Sequence, residues 1–79
     1  MDAISYHYEN SYRRALNRLL GIYYQRGDYK ILHDCARGAL TMSLANSVAY
    51  FWKVLAYRSA GMEETAAKLL AEAKKNLEP

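Results

Sequence analysis

The chain has 79 residues, a net charge of +3 and 52% apolar residues, with four glycines, one proline and one cysteine. It is too apolar for a disordered chain and too poor in glycine and proline for a many-turned all-β domain, so it reads as a single domain, 1–79, with an economical core. The mild charge is spread over both halves, which excludes a basic arm, and a lone Cys35 excludes an internal disulfide and fits a reducing, cytoplasmic setting.

Met1 to His7 carries an early acid and no continuous apolar run, so it does not read as a secretory leader. The first predicted helix covers 5–25, where Tyr12, Leu16, Leu19, Leu20 and Tyr23 recur at spacings of three and four. Gln25-Arg26-Gly27-Asp28 ends it, with Gly27 suited to the position past a helix end and Asp28 able to cap the next helix. That second helix is expected over 29–42. The next break, Thr41 to Ser47, is marked less sharply and offers Ser43, Asn46 and Ser47 as caps.

The third predicted helix, 46–60, has little polar face: Val48, Ala49, Tyr50, Phe51, Trp52, Val54, Leu55, Ala56 and Tyr57 are interrupted by Lys53 alone. It either lies between neighbours or presents an aromatic surface to a partner. Its β-branched and aromatic content makes a strand the rival, against which the length of the run and its lack of alternation count. It is too short, and too broken by Lys53 and Arg58, to span a bilayer. Gly61 repeats the glycine stop, and the fourth helix, 63–77, places Ala66, Leu69, Leu70 and Ala73 on one stripe. Glu63 and Glu64 sit at its positive end, and Glu64 lies four before Lys68.

Catalytic constellations are poor. Glu63 and Glu64 complement a helix dipole rather than form an acid/base pair. His33 and Cys35, two apart, point in different directions on a helix, and with His7 the only other histidine a zinc site lacks ligands. No glycine-rich phosphate loop is present. No enzyme activity, cofactor or metal is therefore expected. Arg13, Arg14 and Arg18, with Tyr12 or Tyr24 to stack on a base, leave weak nucleic-acid binding as an alternative, although Glu9, Asp28 and Asp34 interrupt the basic surface.

Gly27 and Gly61 are 34 positions apart, and superposing them aligns Leu16 with Tyr50, Leu20 with Val54, Tyr23 with Tyr57 and Ala39 with Ala73. Leu16-x2-Leu19-Leu20-x2-Tyr23, followed by Gly27-Asp28-Tyr29 and Ala39-Leu40, resembles the tetratricopeptide repeat family, with repeat 1 at 13–46, repeat 2 at 47–79 and 1–12 extending the first helix. Trp52-x2-Leu55-Ala56 also fits the motif's Trp-x2-Leu-small element, so two registers compete in the second copy. Leu20, Leu32 and Lys53 depart from the usual pattern. A more distant likeness, ending in Leu77-Glu78-Pro79, is to the helical domain of bacterial transcriptional activators.

The resemblance implies an all-α fold of about four antiparallel helices in a right-handed superhelical, TPR-like arrangement. It also implies a groove lined by Arg14, Asn17, Gly21, Tyr24 and Gln25 and by Val48, Phe51, Leu55, Arg58 and Ser59. The expected partner-binding residues are Arg14, Asn17, Tyr24, Gln25, Phe51, Leu55 and Arg58, receiving an apolar strand or helix of a partner protein. Gly21, where carboxylate-binding members place Asn, disfavours recognition of a free C-terminus. An adaptor, a small chaperone or an assembly subunit would fit, as would a structural homodimer without exchangeable ligand. Two repeats leave much apolar surface for so short a stack, so a homodimer or hetero-complex is expected.

Overall fold

The computed structural model describes the backbone of residues 3–78 and the side chains of 10–78. Met1, Asp2, the His7 side chain and Pro79 lie outside the described residues. Four helices occur in order: α1 (Ala3–Arg26), α2 (Tyr29–Met42), α3 (Ser47–Ser59) and α4 (Glu63–Leu77), and the described residues form no strand. The aromatic run of residues 48–57 is thus helical.

The ends of α1 and α3 have the same construction. Gly27 and Gly61 take φ of 75° and 78°, the left-handed conformation that glycine adopts without Cβ strain. Gly27 N–H donates to the Tyr24 carbonyl at 3.0 Å and Asp28 N–H to the Tyr23 carbonyl at 2.9 Å. One period later, Gly61 donates to Arg58 at 3.0 Å and Met62 to Tyr57 at 2.9 Å. Each turn is a Schellman motif that satisfies two otherwise orphaned carbonyls.

Asp28 does not cap α2 through its side chain as anticipated. It stands at the N-cap with φ −82° and ψ 62°, and its carbonyl accepts from Leu32 N–H at 3.0 Å, but the carboxylate makes no cap bond. Ending the Schellman turn sets its backbone outside the β-region that aims a capping side chain. The cap chemistry appears instead at the less sharply marked break, where Asn46 Oδ1 accepts from Ala49 N–H at 3.1 Å. Asn46, 3% exposed, is the buried polar residue of the described core.

Helix α3 is central: it packs on α1, α2 and α4, whereas α4 packs on α3 alone among the described elements. Leu16 and Leu20 from α1, Leu32, Ala36 and Ala39 from α2, and Ala49 and Ala56 from α3 form the buried cluster. Four of these seven are alanines, which lets the helix backbones approach closely. On the far side of α3, Tyr50 and Val54 are buried with Ala66 and Ala73 of α4, and Asn76 Nδ2 donates to the Tyr50 hydroxyl at 2.8 Å. The apolar stripes are narrower than periodicity implies: Tyr12 and Leu19 of α1 and Leu70 of α4 remain exposed, the last two at 39%. Among the described residues, surface ion pairs are few and solvated, with Arg37 to Asp34 at 2.7 Å and the anticipated Lys68 to Glu64 at 3.9 Å. No described helix is long and apolar enough to cross a membrane.

Candidate functional site

The expected partner-binding residues fall into four places. Asn17 and Tyr24 belong to the junction of α1 with α3, where Trp52 Nε1 donates to Asn17 Oδ1 at 2.8 Å and the Tyr24 and Ser59 hydroxyls share a hydrogen bond of 2.6 Å. The Trp52 ring lies 5.6 Å from that of Tyr24 and meets Phe51 edge-on at 5.0 Å. Gly21 makes this seat possible, because a Cβ there would stand 3.3 Å from both Cη2 and Cζ2 of Trp52. The polar groups of Asn17 and Tyr24 therefore hold α3 on α1. Sequence reasoning did not pair Gly21 with Trp52; the available signal was a glycine inside a helix of bulky residues, with the chain's one tryptophan on a later helix.

Phe51, Leu55 and Arg58 do come together, at spacings of four and three on one face of α3. With Tyr50 and Val54 they form one wall of a crevice of about 310 Å³ whose other wall is Leu70, Ala73 and Leu77 of α4. The α4 wall was missed because that stripe reads as core. Phe51 is 57% exposed, and Leu70 and Leu77 are exposed beside it, so the crevice mouth is apolar. Its polar lining is sparse. Ser47 and Arg58 lie at opposite ends of α3, and the Tyr50 hydroxyl is already bonded by Asn76. Arg58 makes no ion pair among the described residues; Glu64, in the first turn of α4, is engaged by Lys68.

Arg14 lies apart from that crevice, in a shallow depression of α1 with Ala15, Arg18, Leu19 and Ile22. Gln25 is exposed at the end of α1.

The titratable groups between α2 and α3 are shaped by packing. His33 stacks on Tyr57 at 4.2 Å and an interplanar angle of 29°, and its Nδ1 is buried without a hydrogen-bond partner. Burial, and then the neighbouring Lys53 charge, lower the imidazole pKa, with Asp34 opposing. Lys53 is lowered in turn by burial and by Arg37, against Glu72 and Asp34. Burial raises the Cys35 thiol, which disfavours the nucleophilic thiolate. No group of three His, Cys, Asp or Glu side chains among the described residues is placed to hold a metal ion. Compared with protein-family models, with curated proteins and with solved structures, the chain matches none.

Proposed function

We propose that this helical domain is a protein-interaction module of tetratricopeptide-repeat type, and that its α3/α4 crevice receives an apolar segment of a partner protein. The observation that carries the reading is the crevice itself, walled by Phe51, Leu55, Leu70 and Leu77, with the Phe51 ring exposed at its mouth. Aromatic anchors in desolvated pockets supply much of the energy of protein interfaces. The two Schellman turns set 34 positions apart, and the seating of α3 on both preceding helices, support the repeat arrangement. The raised Cys35 thiol and the sparse polar lining of the crevice favour a binding role over a chemical one, as an adaptor, small chaperone or assembly subunit in the cytoplasm.

Phe51→Glu tests this. The charge falls on an exposed position whose ring contact is with Trp52, so the chain should stay folded with its mass unchanged and its melt lowered only by the loss of that contact, while capture of a partner from host lysate is lost. A second reading, a homodimer that covers its own apolar surface, draws on Leu19 and Ile22, 39% and 42% exposed on α1. It predicts a dimer in sedimentation that Phe51→Glu or Leu19→Glu dissociates. A dimer of that kind, with no other protein captured, would displace the adaptor reading.

A further inference from the structure

We infer that the guest of the α3/α4 crevice is an amphipathic α-helix carrying a small residue where it meets Leu55 and an acidic residue where it meets Arg58. This rests on the interaction reading above and specifies its partner. The first argument is hydrogen bonding. An extended segment brings unpaired backbone N–H and C=O groups, and a crevice whose wall is Phe51, Val54, Leu55, Leu70 and Ala73 has almost nothing to bond them. A helix satisfies its backbone internally and presents only side chains.

The second argument is already built into the chain. Tyr50, Val54 and Ala73 of the crevice stand 34 positions after Leu16, Leu20 and Ala39, which are the buried residues on which α3 itself rests. All five buried positions of the earlier pair stay apolar one period later, with Ala39 and Ala73 alike, Tyr50 and Val54 in place of Leu16 and Leu20, and Ala66 and Leu70 in place of Leu32 and Ala36, and the earlier pair of helices holds a helix. Where the two seats differ, the guest must differ. Gly21, which leaves room for the Trp52 ring, is matched one period later by Leu55, so the guest residue at the Trp52 position has to be small. Tyr24, which bonds Ser59, is matched by the cation Arg58, so the guest residue at the Ser59 position, seven further on, should be Asp or Glu. The guest then reads small, then acidic seven residues later, with alanine-sized residues three before and four after the first, as Ala49 and Ala56 flank Trp52.

A second copy of this chain fits poorly. On α1 the corresponding positions are Arg18 in place of the small residue and Gln25 in place of the acid, with Arg14 adding a further positive charge on the same helix face. Docking α1 into the crevice would set a bulky cation against Leu55 and bring like charges toward Arg58.

The test uses the full chain and side-chain-stapled helical peptides of about 14 residues, read by fluorescence anisotropy and by amide shifts in NMR spectra. The designed peptide, with Ala at the small position and Glu seven later, should bind and shift the amides of Phe51, Leu55 and Leu70. Placing Lys for that Glu, or Trp for that Ala, should each weaken binding about tenfold, one charge contact or one steric misfit corresponding to roughly that factor. Arg58→Glu should invert the charge preference, and Phe51→Glu should abolish binding of every peptide. An unstapled, proline-broken version that binds as tightly as the staple overturns the helical guest while leaving the interaction reading intact. Failure of all peptides while a lysate partner is still captured through Phe51 has the same meaning. Failure of the peptides together with a self-associated chain dissociated by Phe51→Glu overturns both.

Discussion

Gly21→Ala should destabilise the protein, although alanine is the better helix former by about 1 kcal/mol in a helix interior. The new methyl would stand 3.3 Å from two ring atoms of Trp52, closer than nine in ten real Cβ contacts, so the ring would have to give by a few tenths of an ångström. The ring has little freedom to retreat, because its Nε1 is tied to Asn17 at 2.8 Å and its faces and edge meet Tyr24 and Phe51. Loosening the hydrogen bond costs about 1 kcal/mol and disturbing the aromatic contacts a similar amount, together about 2 kcal/mol against the gain of about 1. The net loss of about 1 kcal/mol corresponds to a fall of roughly 4–8 °C in Tm for a domain of this size. In a Trp52→Phe background the shorter ring leaves the space free and the Asn17 bond is already gone, so Gly21→Ala should instead stabilise by about 1 kcal/mol. Urea titrations of the four proteins, followed by circular dichroism at 222 nm, measure the coupling, expected at about 2 kcal/mol. Equal stabilisation by Gly21→Ala in both backgrounds would refute the close packing of Trp52 on α1.

The turns and α2 supply three further expected outcomes. Gly27→Ala and Gly61→Ala should each cost about 1–2 kcal/mol in chemical denaturation, because the penalty lies in the positive φ and no neighbour stands within 4 Å of either added methyl. D-alanine, which adopts a positive φ without that strain, should recover the loss when introduced by synthesis. Asn46→Ala removes the α3 cap and its bond to Ala49 N–H, with an expected cost of about 1–2 kcal/mol, and Asn46→Ser, a neutral capping residue, should retain more of the stability than Asn46→Ala. Burial and Lys53 depress the His33 pKa, so between its ordinary value of 6.5 and its lower folded-state value the unfolded chain binds the extra proton. The stability is complete above pH 6.5, declines as pH falls through that window and levels off below it; thermal melts of wild type and His33→Gln should diverge in this sense, and an unchanged difference would remove His33 as the cause.

The parts of the fold legible in the sequence were those written in local chemistry. Gly27 and Gly61 marked their helix ends because a left-handed residue is required there, whatever the tertiary context. Asn46 was one of three candidate caps, and only packing distinguishes it from Ser43 and Ser47. Asp28 shows the limit of a residue rule: its backbone is committed to the preceding turn, so its carboxylate has no cap to make. Periodicity named Tyr12, Leu19 and Leu70 as core without knowing that one side of α1 and one side of α4 meet no other helix. The same blindness separated Phe51, Leu55 and Arg58, which share a face by spacing, from Leu70 and Leu77, which join them only after α4 folds back. Asn17 and Tyr24 looked like free polar groups because their partners, Trp52 and Ser59, lie 35 residues away.

The dependence of α4 on α3 alone has a bearing on how the chain opens. Releasing α4 uncovers Tyr50 and Val54 but takes nothing from the cluster of Leu16, Leu20 and Leu32, which stays sealed by the other three helices. Detachment of α4 is therefore a sub-global opening that leaves that cluster intact, and its backbone amides should exchange with solvent deuterium ahead of those of α2 and α3. One wall of the crevice is thus carried on a helix that rests on a single neighbour among the described elements. A guest bridging both walls would fasten that helix down, and occupancy would register as slowed exchange across residues 63–77.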